Sequence, residues 1–192
     1  QDSIVGNGFQ TQLNAMRSLN GITQYIEYTE VSRNFNPALG FVPLKDIRGW
    51  QYHWSTQGGS RPGGIISSEG GIQGADYDHQ SGGKFFREYQ IWFGRTYKSG
   101  LSASAFWDQI WFDAVTDQIM EFTFKYPSGN SRKFVDLTVD TGVAGGTSYR
   151  SIKNTLAYFM KGKFQLNVSS QFVAHDGNQT QLVFTGNYDF DP

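Results

Sequence analysis

The chain has 192 residues, a formal net charge of -1 and no cysteine. The near-zero charge argues against a sequence-independent nucleic-acid binder, which needs a basic surface, and the lack of cysteine excludes disulfides and thiolate metal sites. Aromatic residues make up 16% and charged residues 17% of the chain, a balance that excludes disorder and predicts a single β-rich domain, 1–192.

The N-terminal part reads as a short helix followed by two strands. Phe9, Leu13, Met16 and Leu19 recur at helical spacing before Asn20-Gly21, residues that tolerate the left-handed conformation of a helix end. The segment Ile22–Val31 then has the pattern of a strand, and 34–43 carries the prolines and glycine of a loop. Trp50, Tyr52 and Trp54 alternate with polar residues and predict a second strand.

Segment 58–83 interrupts this pattern because it holds nine of the 23 glycines. Long loops without secondary structure are uncommon in compact domains and are usually functional or disordered. Two interpretations stay open: a disordered surface loop, or an assembly arm that becomes ordered only against a neighbouring subunit or a ligand. In the second, isoleucines anchor the arm: Ile65, Ile66 and Ile72.

The central part predicts a strand, a helix and a hairpin. An aromatic run over 84–97 favours a strand. Ser102 and Ser104 can each cap a helix, whose apolar stripe comprises Phe106, Trp107, Ile110, Trp111 and Ala114. Strict alternation over 119–126, a turn at 127–130 and an apolar run over 134–139 then predict a β-hairpin.

The C-terminal third predicts an antiparallel meander over 154–160, 163–174 and 179–188, since Asp176-Gly177 is a strong hairpin signal. The predicted fold is therefore mainly β, an antiparallel sandwich or barrel with two short α-helices, the second packed on the sheet. No apolar run approaches the ~20 residues of a membrane helix, so we expect no membrane span.

Two groups of residues could form a functional site, and each group also has a purely structural interpretation. Alternate oxygen ligands in 76–79 could hold a hard cation, but the spacing matches no complete calcium loop, and a solvated loop explains it as well. Glu88 and Glu121 could meet as a glycosidase pair or could be solvated strand residues. There is no nucleophile elbow, and we expect no catalytic residue, metal or cofactor.

The tryptophans offer a third interpretation. Trp50, Tyr52 and Trp54 could form an exposed platform that stacks on sugar rings, or they could pack in a core. Core packing is the ordinary explanation for such residues.

These observations favour a non-enzymatic, self-assembling structural subunit, such as a component of a virion or of a phage tail or tube. The order strand, helix, hairpin and closing strands is similar to that of phage tail-tube proteins, an analogy of element order without a shared motif. We expect a homo-oligomer with other assembly subunits as partners, in a virion or outside the cell, without sequence-specific nucleic-acid binding. A secreted carbohydrate-binding module and a small glycan-active β-sandwich enzyme are the alternatives.

Overall fold

The computed structural model describes residues 8–34, 45–112, 114–160 and 164–188. They form eleven β-strands and one 3-10 turn, η1, at Pro62–Gly64. The strands are β1 (Gln10–Leu19), β2 (Ile22–Val31), β3 (Ile47–Gly58), β4 (Ile65–His79), β5 (Lys84–Tyr97), β6 (Ser102–Phe112), β7 (Val115–Tyr126), β8 (Phe134–Ala144), β9 (Thr147–Met160), β10 (Phe164–Ala174) and β11 (Asn178–Tyr188).

All eleven strands belong to one sheet, in which spatial order equals sequence order. Every neighbouring pair is antiparallel, so the chain is a continuous meander. This confirms the mainly β, antiparallel prediction. We call the two ends of the sheet the Asn20 end, where β1 turns into β2, and the Asp46 end, where β3 begins.

The two predicted helices are wrong, because both segments are strands. The first lies in β1 and the second in β6, between β5 and β7. In β6 Phe106 and Ile110 lie on one face and Trp107 on the other. Apolar residues on both faces of a strand imitate helical spacing, and hydrogen bonding to two neighbouring strands overrides it.

The glycine-rich segment 58–83 is not a loop throughout, because β4 occupies most of it. Two of its glycines make room for aromatic side chains of adjacent strands. A Cβ on Gly71 would lie 2.4 Å from the indole of Trp92, and a Cβ on Gly74 would lie 2.6 Å from the hydroxyl of Tyr52. Close approach of a neighbouring group is a common reason for glycine inside a strand.

The sheet has one apolar and one polar face, since residues paired across antiparallel strands point to the same side. The apolar face carries Leu13, Leu19, Ile22, Ile26, Tyr28, Trp50, Tyr52, Trp54, Ile72, Ile91, Phe93, Trp107, Met120, Phe122, Phe124, Tyr126, Val135, Leu137, Val143, Ile152, Leu156, Phe172, Leu182 and Phe184. The polar face carries Gln12, Tyr25, Glu27, Thr29, Gln51, His53, Gln73, Glu88, Gln90, Asp108, Glu121, Thr123, Thr138, Asp140, Ser151, Thr155 and Ser169.

The strands are staggered along the sheet. One row of paired residues begins at Leu19, the last residue of β1, and ends at Thr180, the third residue of β11. The row passes through Ile22, Thr56, Gly70, Phe93, Ala105, Phe122, Val139, Ile152 and Phe172. A steady stagger of this kind accompanies strand tilt in a curved sheet.

The described residues bury little apolar surface. The buried apolar side chains among them are Val31, Ile47, Ala75 and Ala157. No helix in the described part of the chain is long and apolar enough to cross a membrane.

Candidate functional site

Exposure on the two faces is the reverse of what a water-exposed sheet requires. Along β7 the apolar-face residues Phe122 and Tyr126 expose 40% and 54% of their surface, whereas Glu121 and Thr123, on either side of Phe122, are half-buried. The same inversion occurs in β3, where Trp50 is 51% exposed and the neighbouring Gln51 is half-buried. The predicted alternation of β7 is confirmed, and its apolar side is the outer one.

Charged residues on the apolar face lie near strand ends. Within the described strands they are Arg17 and Arg95 at the Asn20 end and Glu30, Arg48, Asp76, Asp78, Lys84, Arg87 and Arg150 at the Asp46 end. Arg87 binds Asp76 and Asp78 with N–O distances of 2.9 and 2.6 Å. On the apolar face, a middle band without charged side chains therefore separates the charged residues at the Asn20 end from those at the Asp46 end.

The first polar cluster is centred on Glu27, which is 6% exposed. Its carboxylate accepts hydrogen bonds from Gln12 at 2.7 Å, Thr29 at 3.1 Å and Gln51 at 2.8 Å, and also from the hydroxyl of Tyr25. Burial raises the pKa of Glu27, but these hydrogen bonds outweigh burial and hold its pKa below the ordinary value. A buried carboxylate with four donors is a structural anchor of the polar face.

The second polar cluster is a ladder across three strands. Nδ1 of His53 lies 3.2 Å from Oε1 of Gln73, whose amide donates to Gln90. Gln90 in turn donates to Oε1 of Glu88 at 2.9 Å. The ladder fixes the orientation of two amides and one carboxylate on the polar face.

Two carboxylates, Glu88 in this ladder and Asp108 beside it, are easier to protonate than usual. Burial, with a contribution from nearby Asp108, raises the pKa of Glu88, although the Gln90 hydrogen bond opposes it. Burial likewise raises the pKa of Asp108, whose Oδ1 is buried and has no hydrogen-bond partner within the described residues. The two acids occupy neighbouring strands, β5 and β6.

Besides a concavity of about 610 Å³ at the Asn20 end, which Gln57, Glu69, Gly94 and Ser104 help to line, two concavities open on the polar face. The first has a volume of about 430 Å³ and is lined by residues of β1 to β5, among them Tyr25, Gln51, His53, Gln73, Ala75 and Glu88. The second, of about 580 Å³, is largely apolar and lies at the Asp46 end between Val31, Ile47, Tyr77, Phe86 and Phe112. Because each is lined by residues of several strands, the sheet curves toward its polar face.

The predicted stacking residues Trp50, Tyr52 and Trp54 lie together on the apolar face. They are exposed, not packed in a core. However, they continue into the apolar residues of β2 and β4, including Ile26 and Ile72, so they do not form a separate platform.

The predicted assembly-arm residues belong to β4. Ile72 lies on the apolar face and is 43% exposed, while Ile65 and Ile66 lie at a bulge near the Asn20 end. They are therefore strand residues and do not form a projecting arm.

The fold does not bring the residues of the other two predicted sites together. Glu88 and Glu121 share the polar face but are two strands and four residues apart, roughly 16 Å, beyond the spacing of a glycosidase pair. Asp76 and Asp78 point to the apolar face and contact Arg87, whereas His79 points to the other face. Among the described residues there is no group of three potential metal ligands.

Sequence reasoning missed the residues that the fold does bring together. Glu27, Gln51, Gln73, Gln90 and Asp108 come from five different strands, and their meeting depends on strand register. The available signal was the polar set that alternates with aromatic residues in β3 and β5.

Comparison with known proteins gives no relative for this chain: no protein-family model, no curated protein and no solved structure matches it.

Proposed function

We propose that this chain is a membrane-embedded sheet whose apolar face contacts lipid and whose polar face lines a water-filled passage for solutes. This proposal departs from the expectation of no membrane span, which rested on the lack of a long apolar run, because a strand needs a shorter segment than a helix to cross a membrane. The observation that carries the proposal is the inverted exposure, with aromatic and aliphatic side chains outside and carboxylates and amides half-buried on the concave side. Lipid is a solvent in which that arrangement is favourable, because apolar side chains then avoid water.

Strand length supports this proposal. The eleven strands have 10 to 15 residues, whereas strands of water-soluble proteins most often have about 5–6. A tilted strand of about 9–11 residues crosses the hydrocarbon layer of a membrane. Each strand is long enough for one crossing.

The residues near the strand ends of the apolar face also support the membrane proposal. Arginine side chains near strand ends can bury their stems along apolar surface and hold their charge at the lipid headgroups. Aromatic rings are enriched at the same depth in membrane proteins. At the Asp46 end, Tyr28 and Trp50 lie 4.9 Å apart between ring centres, close to Arg48, and Trp111 pairs with Arg87.

The proposal requires the first and last strands of the sheet to be joined, because an open strand edge in hydrocarbon leaves backbone groups without hydrogen bonds. A closed sheet is the second of the two arrangements, sandwich or barrel, that the sequence predicted. Curvature toward the polar face and the stagger from Leu19 to Thr180 are the geometry that closure uses. β1 and β11 run in the same direction, so direct pairing between them would be parallel. One further strand between them would restore antiparallel pairing.

A self-assembling subunit is the second candidate, and the two edge strands favour it. β1 is exposed along its whole length, and each edge strand has one neighbour among the described strands. Unpaired edges are templates for pairing with another copy. In that case the apolar faces of several copies would cover one another, as expected of the virion or tube component.

Reconstitution without and with lipid separates the two candidates. The purified chain is refolded with phosphatidylcholine vesicles, floated on a density gradient and washed with alkaline carbonate. The membrane proposal predicts that it floats and resists the wash, and that without lipid or detergent it precipitates. Defined water-soluble rings or tubes formed without lipid would overturn the membrane proposal and support the second candidate.

A further inference from the structure

We infer that the concavity around Ala75 on the polar face binds a small organic cation that carries N–H donors. This inference deepens the proposed function, on which it rests for its role, by naming the class of solute that the passage would hold. The cavity of about 430 Å³ is lined by residues of β1 to β5 on the concave face.

The cavity exists because a small residue occupies its floor. In one row of paired residues Glu27, Gln51, Ala75 and Glu88 follow one another across four strands. Three have long polar side chains, and Ala75 between them has only a methyl group and is 8% exposed. A larger side chain at this position would fill the space that Gln51 and Glu88 border.

The polar groups of the lining are oriented by their own hydrogen bonds. The amide nitrogen of Gln51 donates to Glu27 at 2.8 Å and to Tyr25 at 3.4 Å, which leaves its carbonyl oxygen without a partner within the described residues. Glu88 accepts from Gln90 through Oε1, and its Oε2 likewise has no partner there. The cavity therefore offers acceptors to a ligand that supplies donors.

The charge of the lining selects a cation over a neutral polyol. Glu88 lines the cavity, Glu27 and Asp108 lie beside it, and no lysine or arginine is among the described lining residues. On the polar face of the described strands the lysines are Lys125 in β7 and Lys153 in β9, and both lie outside this cavity. A negatively charged concave surface raises the local concentration of cations, and N–H donors to carboxylates form the stronger class of hydrogen bond.

The test is calorimetric titration of the detergent-solubilised chain with 1,4-diaminobutane, with sorbitol as a neutral donor-bearing comparison. We expect saturable binding of the diamine and none of sorbitol at the same concentration. Glu88→Gln should weaken diamine binding roughly tenfold or more, since it removes a charged acceptor, and Ala75→Leu should abolish it.

Two matched variants control for indirect effects. Glu121→Gln removes a carboxylate from the same face outside the cavity, and Ala75→Ser keeps the small volume; both should bind like the parent chain. Absence of diamine binding, equal binding of sorbitol, or binding that survives Ala75→Leu would overturn the inference. Diamine binding is measured on the detergent-solubilised chain and insertion is measured in vesicles. The failure of the cation inference can therefore be distinguished from the failure of the membrane proposal.

Discussion

The two faces of β7 differ in chemistry although they belong to one strand. Phe122 and Phe124 point to the apolar side and are exposed, whereas Glu121 and Thr123 point to the concave side and are half-buried. In a water-soluble sheet the exposures would be exchanged. Alternation along a strand therefore identifies its two faces, and the burial of each face is needed to decide which of them is outside.

The largest expected effect comes from placing a charge in the middle of the apolar face. Phe122→Arg should lower the free energy of unfolding in lipid by about 2–4 kcal/mol, the cost of arginine near the middle of a bilayer. Thr123→Arg, one residue away on the polar face, is the matched control and should change it far less. Urea titration of both variants in vesicles measures the difference, and equal losses would show that the two faces share one solvent.

The second effect concerns the buried anchor of the polar face. Glu27→Ala should destabilise the fold by about 2–3 kcal/mol, because four donors lose a charged acceptor. Glu69→Ala, on the exposed part of the same face, is the control and should cost well under 1 kcal/mol. Denaturant unfolding gives both values, and similar losses would contradict the anchoring role.

The pH dependence of Glu27 has a definite sign. Its folded-state pKa is below the unfolded value of about 4.3, so its contribution to the free energy of unfolding is complete above that pH. The contribution should disappear as the pH falls through the folded-state pKa. The difference in stability between the parent chain and Glu27→Ala should therefore become smaller at low pH, and a constant difference down to pH 2 would contradict the assignment.

The smallest expected effect is a gain in the free energy of unfolding. The pKa of Glu88 is raised by burial, so the folded state holds its proton more tightly, and stability falls as the pH rises from the unfolded to the folded pKa. Glu88→Gln should remove this penalty and stabilise the chain at pH 7 by less than about 1 kcal/mol, given its partial exposure. At a pH well below the unfolded pKa the two proteins should unfold alike; a neutral-pH loss would contradict the burial argument.

The sequence predicted the fold best where one face of a strand is uniformly apolar. β7 satisfies this condition, and its alternation and hairpin were predictable from period two alone. β6 violates it, because Phe106 and Ile110 share the polar face with Asp108 and were counted with Trp107 on the other face as one helical stripe. β4 violates it differently, since glycines replace the side chains that would mark a strand.

The candidate site was less predictable than the fold. Glu27 and Gln51 are adjacent through strand register, and Ala75 is informative only because long polar side chains flank it across neighbouring strands. No spacing within one segment encodes that adjacency. Trp50, Tyr52 and Trp54 were correctly grouped on one face, but sequence alone could not give the extent of that face.

Tryptophan quenching by lipids with brominated acyl chains tests the central claim most directly. Trp54 lies on the apolar face and Trp92 on the polar face, so two variants, each keeping one of them and replacing the other four tryptophans by phenylalanine, form a matched pair. In vesicles we expect strong quenching of Trp54 by the brominated lipid and little quenching of Trp92. Equal quenching of the two, or a Trp54 that is quenched only by a water-soluble agent, would contradict the central claim.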